Sequence, residues 1–134
     1  MTFLEMISDV ELKFTDSTWV ARNINVVPDN YQGKLTSVDE YLTLSVLPSS
    51  SNNPFYGGAK AYDGTVILNM FVKAGEGQRR SMEISDYLDT LLQNQKTSTG
   101  LYFLTSFMDV VGIDSANKSL YNAKYIIPFT SYGD

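Results

Sequence analysis

The sequence predicts an α+β fold in which two main helices pack on a largely antiparallel mixed sheet. Two stretches have the spacing of amphipathic helices, one at 2–14 and one that ends at Leu92. The predicted strands are clustered, in the order helix, three strands, helix, two strands, which favours α+β over a strictly alternating fold. The chain has 134 residues, which is the length of a single domain, 1–134. A domain of this size can bury roughly two-thirds of the surface of its unfolded chain.

The first helix is predicted from apolar side chains at every third or fourth position: Phe3, Met6, Ile7, Val10 and Phe14. Thr2 and Glu5 have the spacing of a capping box at its N-terminus. Residues 16–18 are expected to end this helix. Because Trp19–Val27 alternates in part, it is predicted to form a short strand that leads into Pro28.

Two further strands are predicted in the middle of the chain. Glu40–Leu47 alternates between apolar and polar residues, which indicates a half-buried strand that Pro48 stops. Residues 49–54 have the composition of a loop. Thr65–Lys73 is apolar at nearly every position, so this strand is predicted to be covered on both faces.

Two strands are predicted in the C-terminal part, Leu101–Thr105 and the alternating run Tyr121–Ser131. Residues 109–119 between them are expected to form a loop or irregular connection. Pro128 lies within the second run, and proline has no N–H for a sheet ladder. This last strand is therefore predicted to lie at or near a sheet edge.

The turn Gly75–Gly77 precedes the second helix and could be taken for a loop that binds phosphate or a coenzyme. The phosphate-loop pattern requires Lys-Ser/Thr after the second glycine, and the dinucleotide fingerprint requires a glycine where the chain has Arg80. An acetyltransferase-type loop requires Gln or Arg at Val72. Glu76 would place a negative charge beside a pyrophosphate. We therefore interpret the turn as a structural hinge, and predict no catalytic, cofactor-binding or metal site.

Composition narrows the chemistry further. The chain has no cysteine and no histidine, which excludes Ser-His-Asp and Cys-His arrangements and thiolate or imidazole zinc sites. A carboxylate-based enzyme is not excluded, but Asp86 and Asp89 match no known spacing and are interpreted as a solvated helix face. The net charge of −5 disfavours binding to nucleic acid, whose phosphates are also negative. No stretch approaches the about 20 apolar residues of a membrane span, and acidic residues near the N-terminus argue against a signal peptide, so synthesis in the cytosol is expected.

Four residues are candidates for contacts with a partner. Arg79 and Arg80 open the second helix, where cations oppose the helix dipole. Two interpretations stay open: a solvated pair near Glu83, or an arginine that pairs with a carboxylate of a neighbouring subunit. Phe55 and Tyr56 end a polar loop, and aromatic side chains in such loops favour contact with a partner.

The order of elements resembles that of the tail terminator (tail-completion) proteins of long-tailed, lambda-like bacteriophages. The resemblance spans nearly the whole chain: the N-terminal helix, the Asn-x-x-x-x-Pro segment Asn23–Pro28, a strand with a long loop, the strand, glycine turn and helix at 65–92, and a terminal alternating strand. It implies an α+β subunit without enzymatic activity or cofactor. Six such subunits would form a ring at the head-proximal end of the virion tail.

The resemblance also implies partners. The ring would cap the tail tube protein, present a surface to the head–tail connector protein and let DNA pass through without specific binding, with no role for a membrane. The loop at 49–58 would contact an adjacent ring or subunit. Three alternatives stay open: a head–tail joining protein, a tail tube subunit, and a small-molecule transferase that uses the Gly75–Gly77 loop.

Overall fold

The fold is known from a computed structural model, which describes residues 3–22, 24, 26–28, 40–52, 61–73, 75, 77–97, 100–113 and 120–131. These residues form three helices and six strands, and the predicted α+β class is confirmed. The helices are α1 (Phe3–Lys13), α2 (Ser17–Val20) and α3 (Gly77–Leu92). The strands are β1 (Val26–Pro28), β2 (Tyr41–Asn52), β3 (Ala61–Lys73), β4 (Leu101–Phe103), β5 (Phe107–Ile113) and β6 (Leu120–Ser131).

The six strands form one sheet in the order β1-β2-β3-β6-β4, and β5 also pairs with β6. Every pairing is antiparallel except that of β1 with β2, which is parallel. The long strands β3 and β6 run side by side from Tyr62↔Ser131 to Lys73↔Leu120 and form the centre of the sheet. The β1–β2 side and the β5 side are therefore opposite edges of the molecule.

The helices cover one face of the sheet. In β3 the side chains of Val66, Leu68 and Met70 are fully buried on that face, whereas those of Ile67 and Asn69 on the other face are half-buried. The prediction that this strand is covered on both faces is therefore wrong for the single chain. Alternation of side chains across a pleated strand explains why an almost continuously apolar strand still has one open face.

The core lies between this face and the helices. Its fully buried members come from α1, α3 and four strands: Met6, Val10, Leu42, Val66, Leu68, Met70, Val72, Ile84, Leu88, Leu92, Leu101, Phe103, Ala123 and Ile127. Both amphipathic helices are confirmed, α3 through its buried stripe and α1 through Met6 and Val10. None of the helices in the described ranges is long and apolar enough to span a membrane.

Trp19 lies in the short helix α2 and not in the predicted strand. The Asp16 side chain caps this helix, because its Oδ1 accepts the Thr18 N–H at 2.9 Å. Trp19 is 4% exposed and packs edge-on against Phe14, with 5.4 Å between the ring centroids. Residues 16–18 therefore end one helix and begin another, and among the described residues of 19–28 only Val26–Pro28 form a strand.

Pro48 does not end β2 as predicted. The strand continues to Asn52 through a register shift between Pro48 and Ser50. A bulge of this kind accommodates proline, because the ladder is already irregular where its N–H is missing. Residues 49–52, predicted as loop, therefore extend the hairpin between β2 and β3.

The prediction of an irregular connection after Asp109 is wrong for its first part, because β5 runs to Ile113. The strand has a register shift between Val110 and Gly112, and Gly112 has φ of 107°, which favours glycine. The shift breaks the alternation of apolar and polar residues that would have identified the strand.

Pro128 lies in β6, which is not an edge strand but is next to the edge strands β4 and β5, so the prediction that this strand lies at or near a sheet edge is confirmed. β4 pairs with β6 up to Phe129, and β5 begins its pairing at Ile126. Pro128 therefore faces the break between these two short strands, where a missing N–H interrupts no ladder. Its carbonyl accepts the Leu104 N–H at 2.9 Å across the break.

Candidate interaction surfaces

Arg80 joins the first turn of α3 to the start of β2. Its guanidinium donates to both carboxylate oxygens of Glu40, at 2.8 Å from Nε and 2.6 Å from Nη2, and to Glu83 at 3.1 Å from Nη1. The hydrogen bonds to Glu40 raise the pKa of Arg80 above its already high ordinary value. The predicted pair with Glu83 is present, but the main partner of Arg80 is Glu40. Both carboxylates belong to the same chain as Arg80.

Arg79 is the more exposed arginine. Its side chain is 92% exposed, and its Nε lies 3.8 Å from Glu83 Oε1, beyond hydrogen-bond distance. An exposed ion pair at this separation contributes little to stability. Arg79 can therefore accept a stronger carboxylate partner, and a partner from a neighbouring subunit stays a prediction.

The other features singled out in the sequence have different outcomes. Phe55 and Tyr56 lie outside the described residues, so their contact with a partner stays a prediction. Gly75 lies in an exposed turn, and Gly77 is the first residue of α3. The described residues contain no group of three or more acidic side chains close enough together to hold a metal ion.

A groove of about 400 Å³ lies between α1 and the β1–β2 edge of the sheet. This α1–β2 groove is mostly apolar and is lined by Ile7, Glu11, Phe14, Val26, Val27, Leu44, Ser45 and Val46. The buried stripe of α1 is rotated from the predicted one, which leaves the groove open beside the helix. Ile7 is 37% exposed, whereas Asp9 is buried and accepts a hydrogen bond from Thr97 Oγ1 at 2.7 Å. Part of the predicted core face of α1 is therefore on the surface.

A second apolar surface lies at the opposite edge, along β5. Phe107 and Val111 are each 57% exposed there, and Val110 is 41% exposed. Single exposed apolar residues are ordinary, but three on one edge strand make this edge a candidate for a surface that a partner covers. The chain thus has an apolar surface at each edge of its sheet.

A polar network fixes α3 to the β5–β6 side. Asp89 Oδ1 accepts hydrogen bonds from Tyr125 OH at 2.7 Å and from Ser106 Oγ at 2.5 Å. Gln93 Oε1 accepts the Ser106 N–H at 3.2 Å. The interpretation of Asp89 as part of a solvated face is therefore wrong, because its partners come from distant parts of the chain. Burial raises the pKa of Tyr125 well above its ordinary range, and the hydrogen bond to Asp89 adds to the effect.

Removal of the Tyr125 hydroxyl is expected to change how stability depends on pH. Because the folded-state pKa lies above the unfolded value of about 10, the neutral hydroxyl stabilises the protein fully below about pH 10 and progressively less above it. Tyr125→Phe should lower the free energy of unfolding by about 1–3 kcal/mol at neutral pH. In urea unfolding experiments, the gap between the two proteins should shrink above about pH 10.

Tyr102→Phe is the matched control, because this ring is 39% exposed. Loss of its hydroxyl should change the free energy of unfolding by no more than about 0.5 kcal/mol. A gap between Tyr125→Phe and the unmodified protein that stays constant into the alkaline range would contradict the assigned role of Tyr125.

Comparison with known proteins gives a likeness of fold. No protein-family model matches the chain, and no curated protein matches it. One similar solved structure carries no functional name; its TM-score is 0.65 at 13% identity, over 98% of this chain and 96% of that one. Another is a chain from the "Virion of native gene transfer agent (GTA) particle", with a TM-score of 0.64 at 15% identity, over 94% of this chain and 93% of that one. These likenesses establish the fold.

Proposed function

We propose that the protein is a structural component of a phage-like virion, and specifically a tail terminator. It forms a ring that caps the head-proximal end of the tail tube, stops tube polymerisation and offers a docking surface to the head. The observation that carries the proposal is the fold shared, over nearly the full length of both chains, with a chain of the gene transfer agent virion. The order of elements, which resembles that of tail terminators, supports the position proposed for it within the particle.

The surface of the chain supports a ring. A cyclic assembly of more than two copies needs two different contact patches on each subunit. The exposed apolar residues of β5 and the α1–β2 groove are two such patches, and they lie at opposite edges of the sheet. A compact monomer leaves few apolar clusters of this kind uncovered.

The charge of the chain suits a ring through which DNA moves. Acidic side chains exceed basic ones, with a net charge of −5. A lumen with an excess of negative charge repels phosphate and lets the nucleic acid slide without adhering. The absence of histidine and cysteine from the sequence also fits a role in assembly, which needs no nucleophile and no proton shuttle.

The mass of the assembled species tests this function. We expect the concentrated protein, alone or with the tail tube protein of the same particle, to form one discrete closed ring of six 15.0 kDa chains. Native mass spectrometry and electron microscopy would show it. Growth of the protein alone into long tubes would identify a tube subunit instead. A monomer that ignores the tube protein at every concentration would rule out the terminator.

A further inference from the structure

A second pocket, of about 220 Å³, lies where α2 and the end of α1 meet the C-terminal half of α3. Trp19 and Tyr87 give its wall aromatic surface, and Lys13, Asp16 and Arg22 give it charge. We name it the α2–α3 pocket. It shares no described residue with the α1–β2 groove or with β5, so it is a separate surface of the subunit.

The charge of the α2–α3 pocket is opposite to that of the chain. Two cations and one carboxylate line the pocket, whereas the whole chain has 10 Lys+Arg against 15 Asp+Glu. The Asp16 carboxylate is engaged as the cap of α2, because its Oδ1 accepts the Thr18 N–H. Within the described ranges, Lys13 and Arg22 form no ion pair. The pocket therefore offers an anion a local positive field on an acidic protein.

Arg22 is held in place by an aromatic ring. Its guanidinium carbon lies 3.7 Å from the centroid of the Tyr87 ring, which is the geometry of a cation–π contact. An arginine that is positioned in this way loses less freedom when it binds a ligand, and its planar fork of N–H groups matches the two oxygens of a carboxylate. Lys13 adds a second charge to the same pocket. This combination of groups is suited to a carboxylate.

The size of the pocket indicates what carries that carboxylate. Sites for small molecules enclose about 300–1,000 Å³, so a pocket of about 220 Å³ suits a single side chain better. Trp19, which is 4% exposed, and the half-buried Leu91 give apolar surface to the same pocket. The methylene groups of a glutamate can pack on that surface while its carboxylate reaches the two cations. A single anchor side chain in a small pocket is a common way for one protein to hold another.

We propose that the α2–α3 pocket binds an acidic side chain, glutamate or aspartate, of a partner protein. Arg22 holds the carboxylate with two N–H groups, and Lys13 contributes the second charge. This contact goes beyond the proposed ring and does not depend on it, because the surfaces assigned to the ring are the β5 edge and the α1–β2 groove. Failure of the ring would leave the contact standing, and the reverse also holds.

The fluorescence of Trp19 tests the proposal, since the only tryptophan of the chain lines the pocket. The probe is the peptide acetyl-Ala-Glu-Glu-Ala-amide, and acetyl-Ala-Gln-Gln-Ala-amide is its neutral counterpart. We expect the acidic peptide to change the emission in a saturable way at millimolar concentration or below. The neutral peptide should bind about tenfold more weakly, because it lacks charge-assisted hydrogen bonds. Added sodium chloride should weaken the acidic peptide further.

Variants locate the binding. Arg22→Gln and Lys13→Gln should each weaken the acidic peptide about tenfold. Arg22→Lys should be nearly as weak as Arg22→Gln, because an ammonium does not make the paired bonds of a guanidinium. Lys73→Gln, at an exposed cation outside the pocket, should bind like the unmodified protein, and circular dichroism confirms that each variant is folded.

Three results would overturn the contact. The first is an acidic peptide that leaves Trp19 unchanged at millimolar concentration or binds no better than its neutral counterpart. The second is binding that Arg22→Gln and Lys13→Gln leave intact. The third is a response to citrate or inorganic phosphate without one to the peptide, which would identify a site for free anions instead of a protein contact.

Discussion

Replacement of Phe129 with alanine is expected to lower the free energy of unfolding by about 3–5 kcal/mol. The Phe129 side chain is 1% exposed and packs edge-on against Phe103, with 6.3 Å between ring centroids. Its removal would leave a cavity in the core, next to the positions where β6 pairs with Gly64 of β3 and with Phe103 of β4. A loss of this size is a large part of the free energy of unfolding of an ordinary domain, which is about 5–15 kcal/mol.

Urea unfolding followed by the fluorescence of Trp19, the only tryptophan of the chain, measures this loss. Trp19 is 4% exposed, so its emission reports the loss of the core directly. Phe107→Ala is the matched control, because this phenylalanine is 57% exposed and should cost less than about 1 kcal/mol in the separated subunit. Equal losses at Phe129 and Phe107 would contradict the packing described for β6.

Gly64→Ala is expected to cost about 1–3 kcal/mol, because the added methyl group has no space. Its Cβ would overlap Cζ of Phe129 and lie 2.9 Å from the carbonyl oxygen of Leu47. The Leu47 carbonyl is backbone, and the Phe129 ring is buried, so neither moves aside easily. Gly75→Ala is the control, since a Cβ there meets no atom within 4 Å.

The two replacements should interact when combined. In Phe129→Ala protein the ring that obstructs the Gly64 methyl group is gone, so Gly64→Ala should cost less than it does in the unmodified protein. Thermal or urea unfolding of the four proteins of this cycle gives the coupling energy. Strictly additive losses would show that Leu47, and not Phe129, is the obstacle at Gly64.

Elements with a strong local signal could be predicted from the sequence. The apolar spacing of α1 and α3 and the alternation of Tyr121–Ser131 each depend on residues close in the chain, and all three elements are confirmed. Four-residue α2 is too short for a periodic signal, and only the capping residue Asp16 indicates it. The place of Pro128 depends on which strands pair on each side of β6, which local sequence does not determine.

The interaction surfaces were less accessible to sequence reasoning. The unusual placement of two arginines at the start of a helix was visible in the sequence. Glu40, however, which binds Arg80 and not Arg79, is forty positions from Arg80 in the chain. The groove exists because α1 is rotated so that Asp9 faces inward, bonded to Thr97. A polar residue at that position looks in the sequence like part of the solvated side. Such long-range side-chain bonds decide which apolar residues stay exposed.

The central position of β6 has a consequence for synthesis. This strand follows every other described element in the chain, yet β3, β4 and β5 all depend on it for pairing. A nascent chain can close the β2–β3 hairpin early, but it cannot complete the sheet until β6 has left the ribosome. Both the Phe129 core and the β5 edge therefore form late, and they form together. In the proposed ring, the β5 edge would then be available only on subunits whose translation has passed β6, which would keep unfinished chains out of the assembly.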